Sequence, residues 1–302
     1  MVTDQLVIVR GGGDIATGTV WALRRAGYPV LVLESDHPSA IRRTVALSEA
    51  VYEGSAQVED LTVRLARSLD EAQYYLFEDQ IALMVDPSGN AIHDIIDTEE
   101  KYSEWDTGLT TLEGGGRHLF LTAVVDAILA KRNLGTKKGM APFVIALGPG
   151  FTAGVDCDVV IETMRGHTLA RPVTKGSALP NTGVPGMIAG YAKERVLHSP
   201  AEGIIRTCRE IGDLVAGGQT VCVVEPADGF HEVEVKAPFS GLLRGMIRDG
   251  FFVTKGFKIA DIDPRESERE NCFTISDKAR SIGTAVVMEL TGFAARRAVD
   301  ET

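Results

Sequence analysis

The 302-residue sequence contains four cysteines, and no two of them form a CxxC pair. They are scattered along the chain, at Cys157, Cys208, Cys222 and Cys272. Structural zinc sites use ligands at short spacings, so this pattern argues against zinc, and we predict no metal site. Scattered cysteines are typical of a reducing compartment, which predicts a cytoplasmic protein.

The sequence also lacks long apolar runs and an excess of positive charge. No apolar run approaches the roughly 20 residues that a membrane-spanning helix needs. The net charge of -11 and the pI near 5.1 argue against binding to nucleic acid or to anionic membranes. We therefore predict neither a nucleic-acid partner nor a membrane partner. The content of 44% hydrophobic and 24% charged residues is that of an ordinary globular protein.

The most informative motif is a glycine-rich turn between two apolar runs. The first run, Leu6 to Val9, predicts a buried strand that is broken by Gly11, Gly12 and Gly13. A helical pattern begins at Asp14, and a second apolar run follows it. A strand, a glycine turn, a helix and a strand in this order predict the opening of a dinucleotide-binding fold.

Each residue type in this motif has a physical role in binding a nucleotide. Gly11 permits the sharp turn, and Gly13 has no side chain to hold a pyrophosphate away from the helix N-terminus. Glu34, at the end of the second strand, can accept hydrogen bonds from ribose hydroxyls. The charge of Asp14 would repel a phosphate unless it caps the helix from the side. The open alternative is a glycine turn that binds nothing or that packs against its own chain.

A second glycine loop follows the apolar run Val144 to Leu147 and includes Gly148 and Gly150. The next strand signal begins only a few residues later, which leaves no room for a crossover helix. We expect this loop at the carboxyl edge of the sheet, facing the same crevice as the first glycine turn. It either contacts the ligand or is simply a tight turn.

Three chemically different side chains follow within six positions: Glu162, Arg165 and His167. An acid, a fixed cation and a titratable base can bind an anion or transfer a proton. The alternative is an ion pair beside a surface histidine. Candidate catalytic residues are His167 and Asp126. The predicted cofactor-binding residues are Gly11, Gly12, Gly13, Asp14, Glu34, Gly148, Gly150, Glu162 and Arg165.

An internal repeat begins at Pro200 and recurs from Pro238 with the pattern P-x-x-G, an apolar pair and G-x-x-V-x-x-G. Short strands and glycine turns at this spacing predict a small β-sandwich. The repeat resembles the lipoyl/biotinyl (barrel-sandwich hybrid) domain. Such carriers have a modified lysine between their halves, where this sequence has Phe230, so we predict neither biotin nor lipoate.

The predicted fold class is α/β: a Rossmann-like parallel sheet domain plus a small all-β barrel-sandwich hybrid domain and a C-terminal helix. The predicted boundaries are 1–195 for the α/β domain with an inserted β/loop region, 196–265 for the sandwich and 266–302 for a linker and helix. The helix, roughly Ala279 to Phe293, either docks onto the body or forms an oligomer contact, as in a homodimer.

Taken together, these segments resemble the YqeB family of bacteria. The resemblance is carried by VIVRGGGDIATGTV, AIRRTVALSEAVYEG, DAILAKRNLGT, VIALGPGFTAGVDCDVVIETMRGH, PNTGVPG and ERVLHSPAEG. It implies an accessory or maturation role for selenium-dependent molybdenum hydroxylases, with such a hydroxylase as partner. It also implies a domain akin to that of XdhC-type molybdenum-cofactor chaperones. It names a pathway and leaves the mechanism, including whether the protein is an enzyme, undetermined.

Three hypotheses follow. In the first, a maturation factor binds a nucleotide or a nucleotide-bearing molybdenum cofactor between the two glycine loops. In the second, an NAD(P)-dependent oxidoreductase of the same pathway uses His167 or Asp126 in proton transfer. In the third, the chain is a structural partner whose sandwich and tail dock the hydroxylase. Binding of NAD(H) or NADP(H) with turnover distinguishes the second hypothesis from the other two.

Overall fold

The computed structural model describes residues 4–95, 112–114, 117–183, 186–226 and 231–300. The chain divides into two compact units. Unit 1 comprises residues 1–38, 46–181 and 275–302, and unit 2 comprises residues 39–45 and 182–274. The sequence of unit 2 is therefore inserted into that of unit 1.

Unit 1 is built on a ten-stranded sheet. Its strands are β1 (Gln5–Arg10), β2 (Val30–Glu34), β3 (Ser55–Val58), β4 (Leu61–Ala66), β5 (Ile81–Val85), β6 (Leu112–Gly114), β7 (Arg117–Asp126), β8 (Phe143–Leu147), β9 (Val159–Ile161) and β10 (Pro172–Val173). Their order is β10-β9-β8-β7-β1-β2-β5-β4-β3, and β6 pairs with β7. Apolar runs such as Leu6–Val9 are fully buried, as expected for strands covered on both faces.

The predicted fold class, a Rossmann-like parallel sheet domain with a barrel-sandwich hybrid domain and a C-terminal helix, is wrong. The sheet is mixed, because β3, β6 and β10 run antiparallel to their neighbours. The connections from β7 to β8 and from β8 to β9 are irregular loops with no crossover helix. Apolar runs identify strands, but they do not determine strand direction or the structure of polar connections.

Few helices occur among the residues that the structure describes. They are α1 (Asp14–Arg25), α2 (Ala50–Glu53), α3 (Leu69–Phe77) and α4 (Asp277–Asp300), and residues 90–95 are also helical. Short 3-10 helices span Arg43–Val45, Leu47–Glu49, Lys193–Arg195, Glu266–Glu268 and Glu270–Cys272. Within the ranges that the structure describes, no helix combines the length and apolarity needed to cross a bilayer.

Helix α4 packs along α1 at a contact between two glycines. A Cβ atom at Gly18 would lie 2.5 Å from the carbonyl carbon of Ala279, and one at Gly283 would overlap the carbonyl oxygen of Gly18. Arg280 of α4 donates to both carboxylate oxygens of Glu59, at 2.7 and 2.9 Å. The C-terminal helix is thus docked on unit 1, one of its two predicted arrangements.

Unit 2 contains two four-stranded antiparallel sheets. Its strands are β11 (Val196–His198), β12 (Gly203–Thr207), β13 (Leu214–Val215), β14 (Thr220–Glu225), β15 (Val233–Lys236), β16 (Gly241–Met246), β17 (Phe252–Val253) and β18 (Lys258–Asp263). The orders are β11-β18-β16-β13 and β15-β14-β12-β17.

The sequence repeat corresponds to strands of unit 2. The strands β12, β13 and β14 of the first half recur as β16, β17 and β18 of the second. Side chains from both sheets form one buried core, which includes Ile205, Val224, Leu243 and Ile262. Phe230, at the position of a carrier lysine, lies outside the described residues.

Candidate functional site

The glycine turn after β1 is held closely against its own chain. Gly11 has a φ of +96°, and a Cβ atom there would lie 2.9 Å from the carbonyl oxygen of Ala127. A Cβ atom at Gly12 would lie 3.0 Å from the backbone nitrogen of Ser48. Packing and backbone conformation therefore require glycine at position 11 and leave little space for a side chain at position 12, whether or not a ligand binds.

Gly13 differs from both of them. It is the N-cap of α1, with an ordinary φ of −67°, and no atom lies within 4 Å of the position that a Cβ would occupy. Its carbonyl accepts hydrogen bonds from the backbone N–H of Thr17 at 2.8 Å and from the Thr17 hydroxyl at 3.0 Å. The first turn of α1 can therefore be approached at Gly13, and its amide groups carry partial positive charge.

Glu34 uses its carboxylate to fix the glycine turn. Oε2 accepts from the backbone N–H of Gly12 at 2.7 Å, and Oε1 accepts from the backbone N–H of Ser35 at 2.7 Å. Both oxygens thus bind the protein's own backbone, although a carboxylate oxygen has a further lone pair. A contact between Glu34 and a ribose stays a prediction.

The second glycine loop packs on neighbouring loops. Gly148 and Gly150 have φ values of +79° and +112°. A Cβ atom at Gly148 would lie 2.6 Å from the hydroxyl of Thr163, and one at Gly150 would lie 2.7 Å from the Cα of Arg132. The close packing accounts for both glycines without a ligand.

The two glycine loops are separated by the segment that follows β7, residues 127–132. Strand β7 lies between β1 and β8 in the sheet. The segment contacts Gly11 through Ala127 and Ile128, and it contacts Gly150 through Lys131 and Arg132. Residues 127–132 therefore lie between the two glycine loops and contact both of them.

Glu162, Arg165 and His167 do not form one cluster of hydrogen-bonded groups. Glu162 is only 3% exposed, and its two oxygens accept from the backbone N–H groups of Met164 and Leu179 at 2.7 and 2.8 Å. It therefore anchors two loops. His167 is exposed on the following turn.

Arg165 reaches the first turn of α4 instead. It binds Asp277 with two hydrogen bonds, of 2.7 and 2.8 Å, and both side chains are more than half exposed. Exposed pairs of this kind contribute little to stability, typically ~0–1 kcal/mol. The pair nevertheless ties the loop after β9 to α4.

Asp126 belongs to a buried polar network at the carboxyl ends of β1 and β7. Its Oδ2 accepts from the hydroxyl of Thr136 at 2.6 Å, and the same hydroxyl accepts from Arg10 at 2.5 Å. Arg10 and Asp126 are each 1% exposed. Burial raises the pKa of Asp126, against the opposing effects of Thr136, the backbone N–H of Ile128 and the Arg10 guanidinium. A catalytic role for this enclosed carboxyl stays a prediction.

Lys278, in the first turn of α4, is the residue that the sequence interpretation missed. The pKa of its amine is lowered, chiefly by burial. The negative charge of Asp14 opposes this shift, the positive charge of Arg165 adds to it, and the negative charges of Glu162 and Asp277 oppose it. Three predicted binding residues therefore lie within electrostatic range of this one lysine. A single lysine after a polar linker carries no sequence signal for such a position.

These groups define the candidate site: Gly13 and Asp14 at the start of α1, and Lys278 at the start of α4. Both helices belong to unit 1 and pack against each other. The combination of helix amides and an amine is suited to an anionic group. Among the residues that the structure describes, no three His, Cys, Asp or Glu side chains are placed to hold a metal ion.

No protein-family model matches the chain. The sequence is 45% identical over 286 residues to the uncharacterized protein YqeB of Escherichia coli (strain K12). The match covers 95% of this chain and 47% of that protein, so the chain spans about half the length of the curated relative. The predicted resemblance to YqeB is confirmed in sequence, and the name of this relative states no activity.

The chain is also distantly similar to several solved structures. An aspartoacylase family protein from Mesorhizobium loti has 12% identity and a TM-score of 0.26, covering 85% of this chain and 84% of that one. A succinylglutamate desuccinylase from Silicibacter has 13% identity and a TM-score of 0.25, covering 87% and 85%. The ectoine utilization protein EutE from Ruegeria pomeroyi has 12% identity and a TM-score of 0.23, covering 86% and 58%. Nothing about activity follows from similarities this low.

Proposed function

We propose that this protein is an accessory factor that binds a nucleotide, or a nucleotide-bearing molybdenum cofactor, at the first turn of α1. The observation that carries the proposal is the open approach at Gly13, on a helix whose Gly18 contacts Ala279, the residue that follows the half-buried Lys278. The amides of the first turn would donate to a phosphate, and the lysine would neutralise its charge.

The negative charges of the nearby acidic groups are largely balanced, so they do not prevent an anion from binding. Asp277 is paired with Arg165, and the charge of Glu162 is stabilised by two backbone N–H groups. The charge of Asp14 opposes an anion, and Lys278 offsets it. The site should therefore bind phosphates with moderate affinity, and the binding should weaken as salt is added.

A second observation agrees with a bound group near the glycine turn. Ser48, whose backbone abuts Gly12, has a fully buried hydroxyl with no hydrogen-bond partner among the described residues. A buried hydroxyl normally has a partner, which is either protein, ordered water or ligand. A water or a ligand atom adjacent to the turn would satisfy it.

The biological role in this proposal rests on the sequence resemblance to YqeB. That resemblance implies service to a selenium-dependent molybdenum hydroxylase, either delivering or modifying its cofactor. When bound, the molybdenum cofactor would supply the redox-active metal, while Gly13 and Lys278 would hold its phosphate-bearing end. Since the chain spans about half of its curated relative, the hydroxylase partner is part of the proposal.

An NAD(P)-dependent oxidoreductase is the weaker alternative. It would need Glu34 to accept from a ribose while both of its oxygens hold the glycine turn. It would also need His167, which is exposed, or Asp126, which is enclosed, to reach a substrate. A reduced nicotinamide that binds and turns over would support this alternative.

Calorimetric titration of the purified chain with nucleoside mono- and diphosphates, NAD(H) and NADP(H) tests the proposal. The informative variant is Gly13→Leu, because the φ at Gly13 suits any residue and the new side chain would fill the open approach. We expect binding to weaken roughly tenfold or more. Gly186→Leu is the matched control, since Gly186 also has open space around it and lies in unit 2.

Native mass spectrometry of protein from a molybdenum- and selenium-replete host would identify a retained ligand. A nucleotide or a pterin lost from Gly13→Leu but kept by Gly186→Leu supports the proposal. Equal binding by wild type and Gly13→Leu would refute it, as would the absence of any nucleotide or pterin binding.

A further inference from the structure

A basic loop follows β7, and the function assigned above makes no use of it. We define it as residues 131–138; its four cations are Lys131, Arg132, Lys137 and Lys138. We propose that it binds a second phosphate of the ligand and so makes the site selective for diphosphates. This inference rests on the proposed function, because it extends the same site.

The loop is positively charged, whereas the protein as a whole has a net charge of -11. The chain has 31 Lys and Arg against 42 Asp and Glu, yet no acid occurs within residues 131–138. Lys131, Arg132 and Lys137 are exposed, and Lys138 pairs with Asp158 at 3.2 Å. In an acidic protein, such a local cationic surface attracts anions to one place.

The loop is held in one shape by internal hydrogen bonds. Asn133 accepts from the backbone N–H groups of Gly135 and Thr136, both at 2.8 Å, and donates to the carbonyl of Thr136 at 2.7 Å. The Thr136 side chain joins the buried network of Arg10 and Asp126. The cations are thus presented by a fixed backbone, so little conformational entropy would be lost on binding.

The backbone of the loop also shows strain where it meets the second glycine loop. Lys131 has a φ of +63°, in the left-handed region that non-glycine residues seldom occupy. Its neighbour Arg132 packs against Gly150, whose missing side chain permits the contact. Non-glycine residues in this conformation persist where their surroundings impose it, often at binding sites.

The loop follows a segment that contacts the first glycine turn. Ile128 contacts Gly11, which is two residues before Gly13. Lys131 is three residues after Ile128, so their Cα atoms are at most about 11 Å apart. The carboxyl ends of β1, β7 and β8 therefore place the basic loop and the glycine turn along one edge of the sheet of unit 1.

The test compares diphosphates with monophosphates. The double variant Lys131→Asn with Arg132→Gln removes two charges, and asparagine tolerates the left-handed backbone of Lys131. Lys255→Gln with Lys258→Gln removes the same charge from exposed positions in unit 2 and is the matched control. Each protein is titrated with ADP, CDP, GDP, their monophosphates and inorganic pyrophosphate.

We expect the wild type and the control to bind a diphosphate more tightly than its monophosphate. The loop variant should lose roughly tenfold in diphosphate affinity and less than about threefold in monophosphate affinity. Circular dichroism of each variant confirms that it is folded, and Arg132→Gln alone should show a smaller loss in the same direction.

The other outcomes separate the two proposals. If the wild type binds none of these probes and retains no pterin, the proposed function fails. If the wild type binds and the loop variant binds identically, only the role of the basic loop fails. If mono- and diphosphate affinities fall equally, the loop acts through general charge, and the diphosphate selectivity is refuted.

Discussion

Replacing Arg10 with methionine should destabilise unit 1 strongly, because it leaves a buried charge without its partner. Arg10 donates to Thr136 at 2.5 Å and to the carbonyl of Pro87 at 3.0 Å, and its guanidinium lies 3.9 Å from the Asp126 carboxylate. Removing one member of a buried charged pair typically costs about 3–5 kcal/mol. We expect a loss of that size at neutral pH.

The loss should depend on pH with a definite sign. Burial raises the pKa of Asp126 in the folded state above its value in the unfolded state. The resulting stabilisation is fully present at pH values below the unfolded-state pKa, and it is lost as pH rises through the folded-state pKa. Because Arg10 lowers the pKa of Asp126, Arg10→Met should raise it further. Each added unit corresponds to about 1.4 kcal/mol. The destabilisation should therefore be larger at pH 8 than at pH 5.

Urea unfolding followed by tryptophan fluorescence measures this effect, since Trp21 lies on α1 of unit 1. Arg171→Met is the control, because Arg171 is an exposed arginine in the same unit and should change stability by less than about 0.5 kcal/mol. Asp126→Asn in the Arg10→Met background should recover part of the loss. A destabilisation below about 1 kcal/mol, or one that is equal at pH 5 and pH 8, would refute the reasoning.

Three further predictions concern the helix contact, the lysine and the second glycine loop. Gly283→Ala should lower the free energy of unfolding by about 1–3 kcal/mol in urea titrations, because its Cβ would overlap the backbone of Gly18; an unchanged value would contradict the packing. Lys278→Met should weaken phosphate binding measured by calorimetry. In the wild type, phosphate affinity should fall as pH rises through the lowered pKa of the Lys278 amine, and the variant should lose this dependence; an unaltered pH profile would show that Lys278 does not bind the phosphate. Gly150→Ala should cost roughly 1–3 kcal/mol through its positive φ, and by displacing Arg132 it should also reduce diphosphate affinity; normal values of both would count against the fixed loop.

The opening of the chain could be predicted from local signals. The structure has β1 at Gln5–Arg10, α1 at Asp14–Arg25 and β2 at Val30–Glu34, which are the strand, helix and strand expected from the sequence. The signals are apolar runs, a glycine turn and a change in hydrophobic periodicity, and all of them lie within a few residues of one another. Such signals need no knowledge of the rest of the fold.

The features that depend on distant contacts could not be predicted in the same way. The direction of β3 and β10 depends on which neighbour each strand pairs with, so the predicted parallel sheet was wrong. Lys278 approaches Asp14 only because α4 packs on α1, and these residues lie at opposite ends of the sequence. The sequence left two uses open for the glycines at 11, 148 and 150, ligand contact or a turn within the protein, and only the structure shows that each contacts the protein's own chain.

The contact between Gly18 and Gly283 has a consequence for how the protein is made. Helix α1 ends at Arg25 and emerges from the ribosome early, but its partner α4 begins only at Asp277, after the rest of unit 1 and the whole of residues 182–274 have been synthesised. At typical translation rates of about 5–20 residues per second, the apolar face of α1 would wait roughly 13–50 seconds before α4 begins to be synthesised. Nascent chains should therefore be most exposed to aggregation and to chaperone capture during that interval. A tethered chain stalled just before α4 should be protease-sensitive at α1, whereas the released full chain should be resistant.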